Sequence, residues 1–78
     1  YLPQYDSGDF EKVALRIFRE HGFDEQDAKT LARIMWSNSF RSARDVLRVA
    51  RYAQGDMRQA MTILTIMSHR KPPEKKQR

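Results

Sequence analysis

Apolar residues recur at intervals of three and four residues along four separate stretches of the chain. This spacing places them on one face of an α-helix, whereas no stretch shows the alternation that a half-buried strand requires. The four sets are Phe10, Val13, Ala14, Ile17 and Phe18; then Ala28, Leu31, Ala32 and Met35 with Trp36 near the end; then Val46, Leu47, Val49, Ala50 and Ala53; and finally Met57, Ala60, Met61, Leu64 and Met67. The pattern predicts four helices over residues 8–68.

Polar residues mark where these helices begin. Ser7 or Asp9 can cap the first helix, and Asp24 precedes the second. Residues 42–45 have the form of a capping box, in which a serine hydroxyl and a carboxylate satisfy free backbone donors. Asp56 offers a similar start to the fourth helix. Each predicted helix therefore has a capping residue at its start.

The predicted helix ends carry residues that stop a helix. Gly22 suits the left-handed residue of a Schellman motif, with Phe23 then lying against Phe18. Residues 38–40 break the second apolar pattern, and Gly55 ends the third. We therefore predict an all-α fold, a small four-helix bundle over residues 8–68. Residues 69–78, which contain two prolines and mostly charge, are predicted to be a disordered basic tail.

The composition excludes several classes of function. A chain of 78 residues without cysteine has no disulfide framework and no thiolate zinc site, and its two histidines cannot complete a metal shell. His21 and His69 instead lie at predicted helix ends, where a cation complements the helix dipole. The longest apolar run is three residues, and the first 20 residues lack the apolar block of a signal peptide. We expect a soluble, cytoplasmic protein without a membrane partner.

Catalytic motifs are also missing. The sequence has no glycine-rich phosphate-binding loop and no Ser/His/Asp or Cys/His set at a plausible spacing. We therefore expect that the isolated chain is not an enzyme and contains no catalytic residue.

The net charge of +5 is unevenly distributed. Residues 1–30 carry a net charge of −3, residues 31–69 carry +4, and residues 70–78 carry +4. The change from an acidic first half to a basic second half is therefore more informative about this protein than the net charge of the whole chain.

Arginines recur through the predicted third helix. Arg41, Arg44, Arg48 and Arg51 are spaced by three, four and three residues, which predicts a stripe opposite the apolar face. A solvated helix face is one interpretation of this stripe. The other is an anion site, because Arg44 lies in the first turn, where free N–H groups and the helix dipole favour an anion. Arg58 has the same relation to the fourth helix.

Residues 42–53 resemble the segment of the small C-terminal helical lid of AAA+ ATPases that carries the sensor-2 arginine, most of all in lids of archaeal type. Upstream, Leu2-Pro3-Gln4-Tyr5 followed by residues 9–14 resembles the entry to such lids. Residues 24–28 together with Trp36 resemble their second helix. The resemblance rests on the order of these pieces and extends to the lids of clamp loaders and origin-recognition proteins.

The resemblance implies a role for individual residues. In AAA+ proteins the lid covers the nucleotide bound to a P-loop core, and the sensor-2 arginine contacts the γ-phosphate. Arg44 matches that arginine because two helices precede it. A rival alignment uses Arg58, since residues 55–61 resemble the sensor-2 string of sliding-clamp loaders. Tyr5 resembles the residue that borders the adenine, although Gln4 separates it from Pro3.

The chain would then be part of a longer ATPase, with residues 1–7 as the lid-entry segment and residues 8–68 as the lid. The resemblance implies ATP and Mg²⁺ as ligands of the intact ATPase, with no cofactor bound by this chain alone. Its partners would be the P-loop core of the same protein and neighbouring subunits, which Arg48 and Arg51 could contact. DNA is a further expected partner, because we expect a machine of DNA replication or repair.

Two other classes of function remain open. One is a stand-alone helical module that binds DNA or RNA backbone phosphates through Arg41, Arg44, Arg48, Arg51 and the basic tail. The other is a protein-interaction domain that uses the methionines of the fourth helix, Met57, Met61 and Met67. We expect these methionines to pack in the core.

Overall fold

Four helices joined by short loops make up residues 6–70, the part of the chain that the computed structural model describes. They are α1 (Ser7–Glu20), α2 (Glu25–Ser37), α3 (Ala43–Ala53) and α4 (Met57–Arg70). α1 packs against α2 and α3, and α3 also packs against α4. The predicted all-α four-helix bundle is confirmed.

The core contains apolar side chains from all four helices and from two of the loops. Among the described residues, no polar or charged side chain is buried. The largest fully buried side chains are Phe10, Phe18, Leu31, Met35, Val46 and Val49. Phe23 and Phe40, each 3% exposed, close the core from the loops after α1 and α2. The sequence predicts Phe40 only as part of a helix break, whereas in the structure its ring belongs to the core.

Two residues of the predicted apolar faces are exposed. Leu47 and Met61 are each 38% exposed. Each directly follows a fully buried residue, Val46 or Ala60, and successive residues of a helix are about 100° apart. The buried faces of α3 and α4 are therefore narrower than predicted. Of the three α4 methionines, Met57 and Met67 pack against the core as expected, and Met61 does not.

The predicted residues cap α2, α3 and α4 but not α1, and the carboxylate bond of the predicted capping box at residues 42–45 is not found among the described residues. Asp24 caps α2 by accepting a hydrogen bond from the N–H of Asp27 at 2.8 Å. The cap of α1 is Asp6, whose Oδ1 accepts from the N–H of Asp9 at 2.8 Å. The expectation that Ser7 or Asp9 caps this helix is wrong, because Ser7 is already helical and the extended backbone that a cap requires occurs at Asp6.

The end of α1 is the predicted Schellman motif. Gly22 has φ 102°, and the N–H of Phe23 donates to the carbonyl of Phe18 at 3.0 Å. The two phenylalanine rings pack edge to face, with centroids 5.3 Å apart. α3 ends at Ala53, and Gln54 and Gly55 both have positive φ.

The loops after α1 and α3 touch through their glycines. A Cβ atom on Gly55 would lie 2.9 Å from the carbonyl oxygen of Gly22. Such a separation is too short for a methyl group, so this backbone contact requires glycine at position 55. It holds the C-terminal end of α1 beside the C-terminal end of α3, and this arrangement brings His21 next to α3.

α4 continues through Arg70, so the boundary predicted after residue 68 lies inside this helix. His69 lies in the last turn of α4, at a helix end as predicted, and it is exposed. Residues 71–78, the rest of the predicted basic tail, lie outside the described residues, as do residues 1–5 of the lid-entry segment.

Candidate functional site: an arginine row on the third helix

Three arginines lie along one side of α3. Arg44, Arg48 and Arg51, which we call the arginine row, are all exposed and are spaced by four and three residues. At 1.5 Å per residue, the row extends about 10 Å along the helix axis. The opposite face of α3 is buried, with Val46, Val49, Ala50 and Ala53 in the core. Amphipathicity therefore fixes which way the arginines face.

No carboxylate of residues 6–69 forms an ion pair with the arginine row. In this part of the chain the only ion pair joins Lys29 and Glu25 on α2, with Nζ 3.5 Å from the carboxylate oxygen. Three like charges within about 10 Å repel one another, and an exposed anion would relieve that repulsion. The row is therefore chemically suited to bind an anion with several negative charges, such as a phosphate group.

The row lines an open groove of about 650 Å³, which we call the basic groove. Its walls come from α3 and from the loops that follow α1 and α3. They are His21, Arg44, Leu47, Arg48, Arg51, Tyr52 and Gln54. The groove thus combines guanidinium donors, an imidazole, an amide and an exposed aromatic ring.

His21 reaches this groove because it is the last residue before the Gly22 turn. Its Nδ1–H donates to the carbonyl of Ile17 at 2.9 Å, which leaves Nε2 without a partner among the described residues. His21 therefore lies at a helix end, as predicted, and its side chain caps a carbonyl of the last turn. Its position opposite Arg44 depends on the contact of Gly22 with Gly55, which joins residues far apart in sequence, so no local pattern indicates it.

Arg41 does not belong to the arginine row. α3 begins at Ala43, so Arg41 lies in the preceding loop. Its guanidinium carbon is 3.5 Å from the centroid of the Trp36 ring. Nη1 donates to the carbonyl of Trp36 at 2.7 Å and to that of Phe40 at 3.1 Å. The predicted four-arginine stripe is therefore corrected to three, because Arg41 caps the C-terminal end of α2.

Replacing Arg41 with alanine should lower the free energy of unfolding by about 1–2 kcal/mol, because a cation–π contact and hydrogen bonds to two carbonyls are lost. Urea unfolding of the purified chain measures this change. Arg48→Ala is the matched control and should change stability by less than about 0.5 kcal/mol, because Arg48 is exposed and makes no ion pair with the described residues. Equal losses in the two variants would contradict the capping role of Arg41.

The two candidate sensor arginines have different surroundings. Arg44 and Arg58 each lie in the first turn of a helix, and each backbone N–H donates to a capping side chain. The acceptor for Arg44 is the neutral Ser42 Oγ at 3.1 Å, whereas that for Arg58 is the Asp56 carboxylate at 3.0 Å. A carboxylate at the helix start repels an incoming phosphate. Arg58 also lines neither the basic groove nor the more apolar groove between α3 and α4.

Several predicted features lie elsewhere or outside the described residues. Tyr5, predicted to border an adenine, is outside the described residues. Among residues 6–70, no three His, Asp or Glu side chains are grouped as a metal site would need. In the same part of the chain, no helix has the length and apolar character that crossing a membrane takes.

Comparison with protein-family models, curated proteins and solved structures finds no match to this chain. The candidate function therefore depends on the residues of the basic groove and on their geometry.

Proposed function

We propose that this chain is the nucleotide-sensing lid of an AAA+ ATPase, with Arg44 contacting the terminal phosphate of ATP bound to a P-loop core of the same protein. The observation that supports this most is the exposed guanidinium of Arg44 at the start of α3, which lines the basic groove and forms no ion pair with the described residues. Two helices precede it, as in the lids that the sequence resembles.

The start of α3 offers two interactions with a phosphate. The helix dipole is positive there, and a guanidinium can donate two parallel hydrogen bonds to phosphate oxygens. Both interactions weaken when the terminal phosphate leaves.

Because the four helices share one apolar core, a change at Arg44 would move them together as a rigid unit. Arg48 and Arg51 would then be available to the core or to a neighbouring subunit. ATP and Mg²⁺ belong to the intact ATPase, and loss of its hydrolysis on substitution of Arg44 is the direct test.

The isolated chain should bind ATP weakly. A charge-assisted hydrogen-bonded contact contributes about 1.5–3 kcal/mol, which is less than the cost of association. We expect a titration with ATP and Mg²⁺, followed by NMR, to remain unsaturated at about 1 mM, with small shifts at Arg44 and its groove neighbours. Micromolar binding would contradict a lid that needs its core.

A nucleic-acid-binding module is the second candidate, and Tyr52 is the observation that favours it. The Tyr52 side chain is 70% exposed beside the arginine row, where it could stack on a base. The row spans about 10 Å, comparable with the rise of three nucleotide steps of one strand at about 3.4 Å each. This module needs no P-loop core.

Salt dependence separates the two candidates. For a lid we expect fluorescence anisotropy with a labelled oligonucleotide to show only weak binding, which disappears near physiological ionic strength. Submicromolar binding under that condition, reduced by Arg48→Ala and Tyr52→Ala but not by Arg33→Ala on α2, would favour the module.

A further inference from the structure

A second groove lies between α3 and α4, on the other side of Arg48 and Tyr52. It has a volume of about 550 Å³, and we call it the apolar groove. α4 lines it with Ile63, Ile66 and Met67. Phe40 and two charged residues of α3, Asp45 and Arg48, complete the lining with Tyr52. This volume exceeds that of a single side chain and lies within the range of ligand-binding sites, about 300–1,000 Å³.

The apolar groove leaves large hydrophobic side chains in contact with solvent. Ile66 is 48% exposed and Tyr52 is 70% exposed. Single exposed apolar residues are common in proteins, but here they adjoin one groove with further half-buried apolar side chains. Aromatic residues, methionine and arginine are also the residues that protein interfaces favour, and this groove contains all three.

The apolar groove and the basic groove share a border. Arg48 and Tyr52 line both. A molecule that fills the apolar groove therefore lies beside Arg48, with Arg44 and Arg51 on the far side of that border. The complementary surface is an apolar strip with negative charge along one edge.

We propose that the apolar groove binds an amphipathic helix of another protein, one with acidic residues along the border of its apolar face. The apolar residues of that helix would pack on Ile63, Ile66 and Met67, and its acidic residues would pair with Arg48, which lines both grooves. From Asp45 to Tyr52 the groove extends about 10 Å, or two turns of an occupant helix. Anchors spaced at i, i+3 or i+4, and i+7 match that length.

Charge disfavours a second copy of this chain as the occupant, and the aliphatic side of the groove disfavours a nucleic acid. In a two-fold symmetric dimer through this groove, both facing surfaces would carry the same arginine row, so neither copy would supply the excess negative charge that complements it. A nucleic acid would meet aliphatic side chains on the α4 side, which lack the aromatic faces that stack on bases.

This interaction does not require the proposed nucleotide-sensing function. Arg44 does not line the apolar groove, and none of the α4 residues lines the basic groove. Substitutions at Arg44 and at Ile66 therefore test the two proposals separately.

The test is an NMR titration of the ¹⁵N-labelled 78-residue chain with two synthetic helical peptides of about four turns. Both peptides carry leucines on one face, and their borders carry either glutamates or lysines. We expect the glutamate peptide to shift the signals of Ile63, Ile66 and Met67 and to bind at least about 10-fold more tightly than the lysine peptide. Equal binding of the two peptides, or no binding of the glutamate peptide at about 1 mM, would overturn the proposal.

Two pairs of variants test which residues of the chain contact the peptide. Ile66→Ser should weaken binding about 10-fold, whereas Met61→Ser, which removes an exposed side chain of α4 outside the groove, should not. Arg48→Glu should weaken binding of the glutamate peptide, and Arg33→Glu on α2 should not. Circular dichroism verifies that each variant is folded. Self-association of the free chain through Ile66, or an oligonucleotide that shifts the α4 signals, would show instead that a second copy or a nucleic acid occupies this groove.

Discussion

Replacing Gly55 with alanine is expected to lower the free energy of unfolding by about 3 kcal/mol, the largest effect we expect from any change outside the apolar core. Gly55 has φ 88°, a conformation that costs an L-residue about 1–2 kcal/mol. The added Cβ would also lie 2.9 Å from the carbonyl oxygen of Gly22, which is a backbone atom held by the end of α1. Urea unfolding of the 78-residue chain measures the loss.

Two other glycines provide matched controls. Gly22→Ala should cost less, because φ is also positive there but the nearest non-adjacent atom to the new Cβ would be 3.5 Å away. Gly8→Ala in the first turn of α1 should raise stability by about 0.5 kcal/mol, since its Cβ meets only the Asp6 side chain at 3.7 Å. If Gly55→Ala cost no more than Gly22→Ala, the two loops would separate freely, and their contact would not position His21.

The sequence predicts the helices well because the signals that define them are local. Apolar spacing determines the buried faces, and Asp24 and Gly22 act within three or four residues of the helix end that each one shapes. The contact between Gly22 and Gly55 has no such signal, because it joins loops that meet only after α1 packs on α3. The burial of Phe40 likewise depends on tertiary packing.

The sequence predicts the arginine row, which depends on local spacing, but not the grooves, which depend on how the helices pack. Arg44, Arg48 and Arg51 share a side of α3, and that follows from their spacing alone. Arg41 does not share that side, because the cap at Ser42 places residue 41 before the helix begins. By contrast, the exposure of Tyr52 and Ile66 depends on how α4 packs against α3, and no periodicity within either helix shows that a groove lies between them.

If this chain is the proposed lid of an ATPase, Arg44→Ala in that ATPase should lower kcat for ATP hydrolysis about 100-fold, because a positioned charge on the terminal phosphate is lost. Arg58→Ala is the matched control, since the same residue type occupies the first turn of the next helix. It should change kcat by less than about 2-fold, because Asp56 already places a carboxylate at that helix start. Phosphate release measures hydrolysis, and nucleotide binding is measured separately.

A loss of hydrolysis in Arg44→Ala would report on the nucleotide and not on folding, because Arg44 is exposed and pairs with no carboxylate within residues 6–70. Arg44→Lys should recover only part of the rate, since an ammonium keeps the charge but cannot donate two parallel hydrogen bonds. Unchanged hydrolysis in Arg44→Ala together with collapse in Arg58→Ala would reverse the alignment and make α4 the sensor helix. Unchanged hydrolysis in both variants would show that this surface does not contact the nucleotide. The arginine row would then be a candidate site for nucleic acid or for an acidic protein partner.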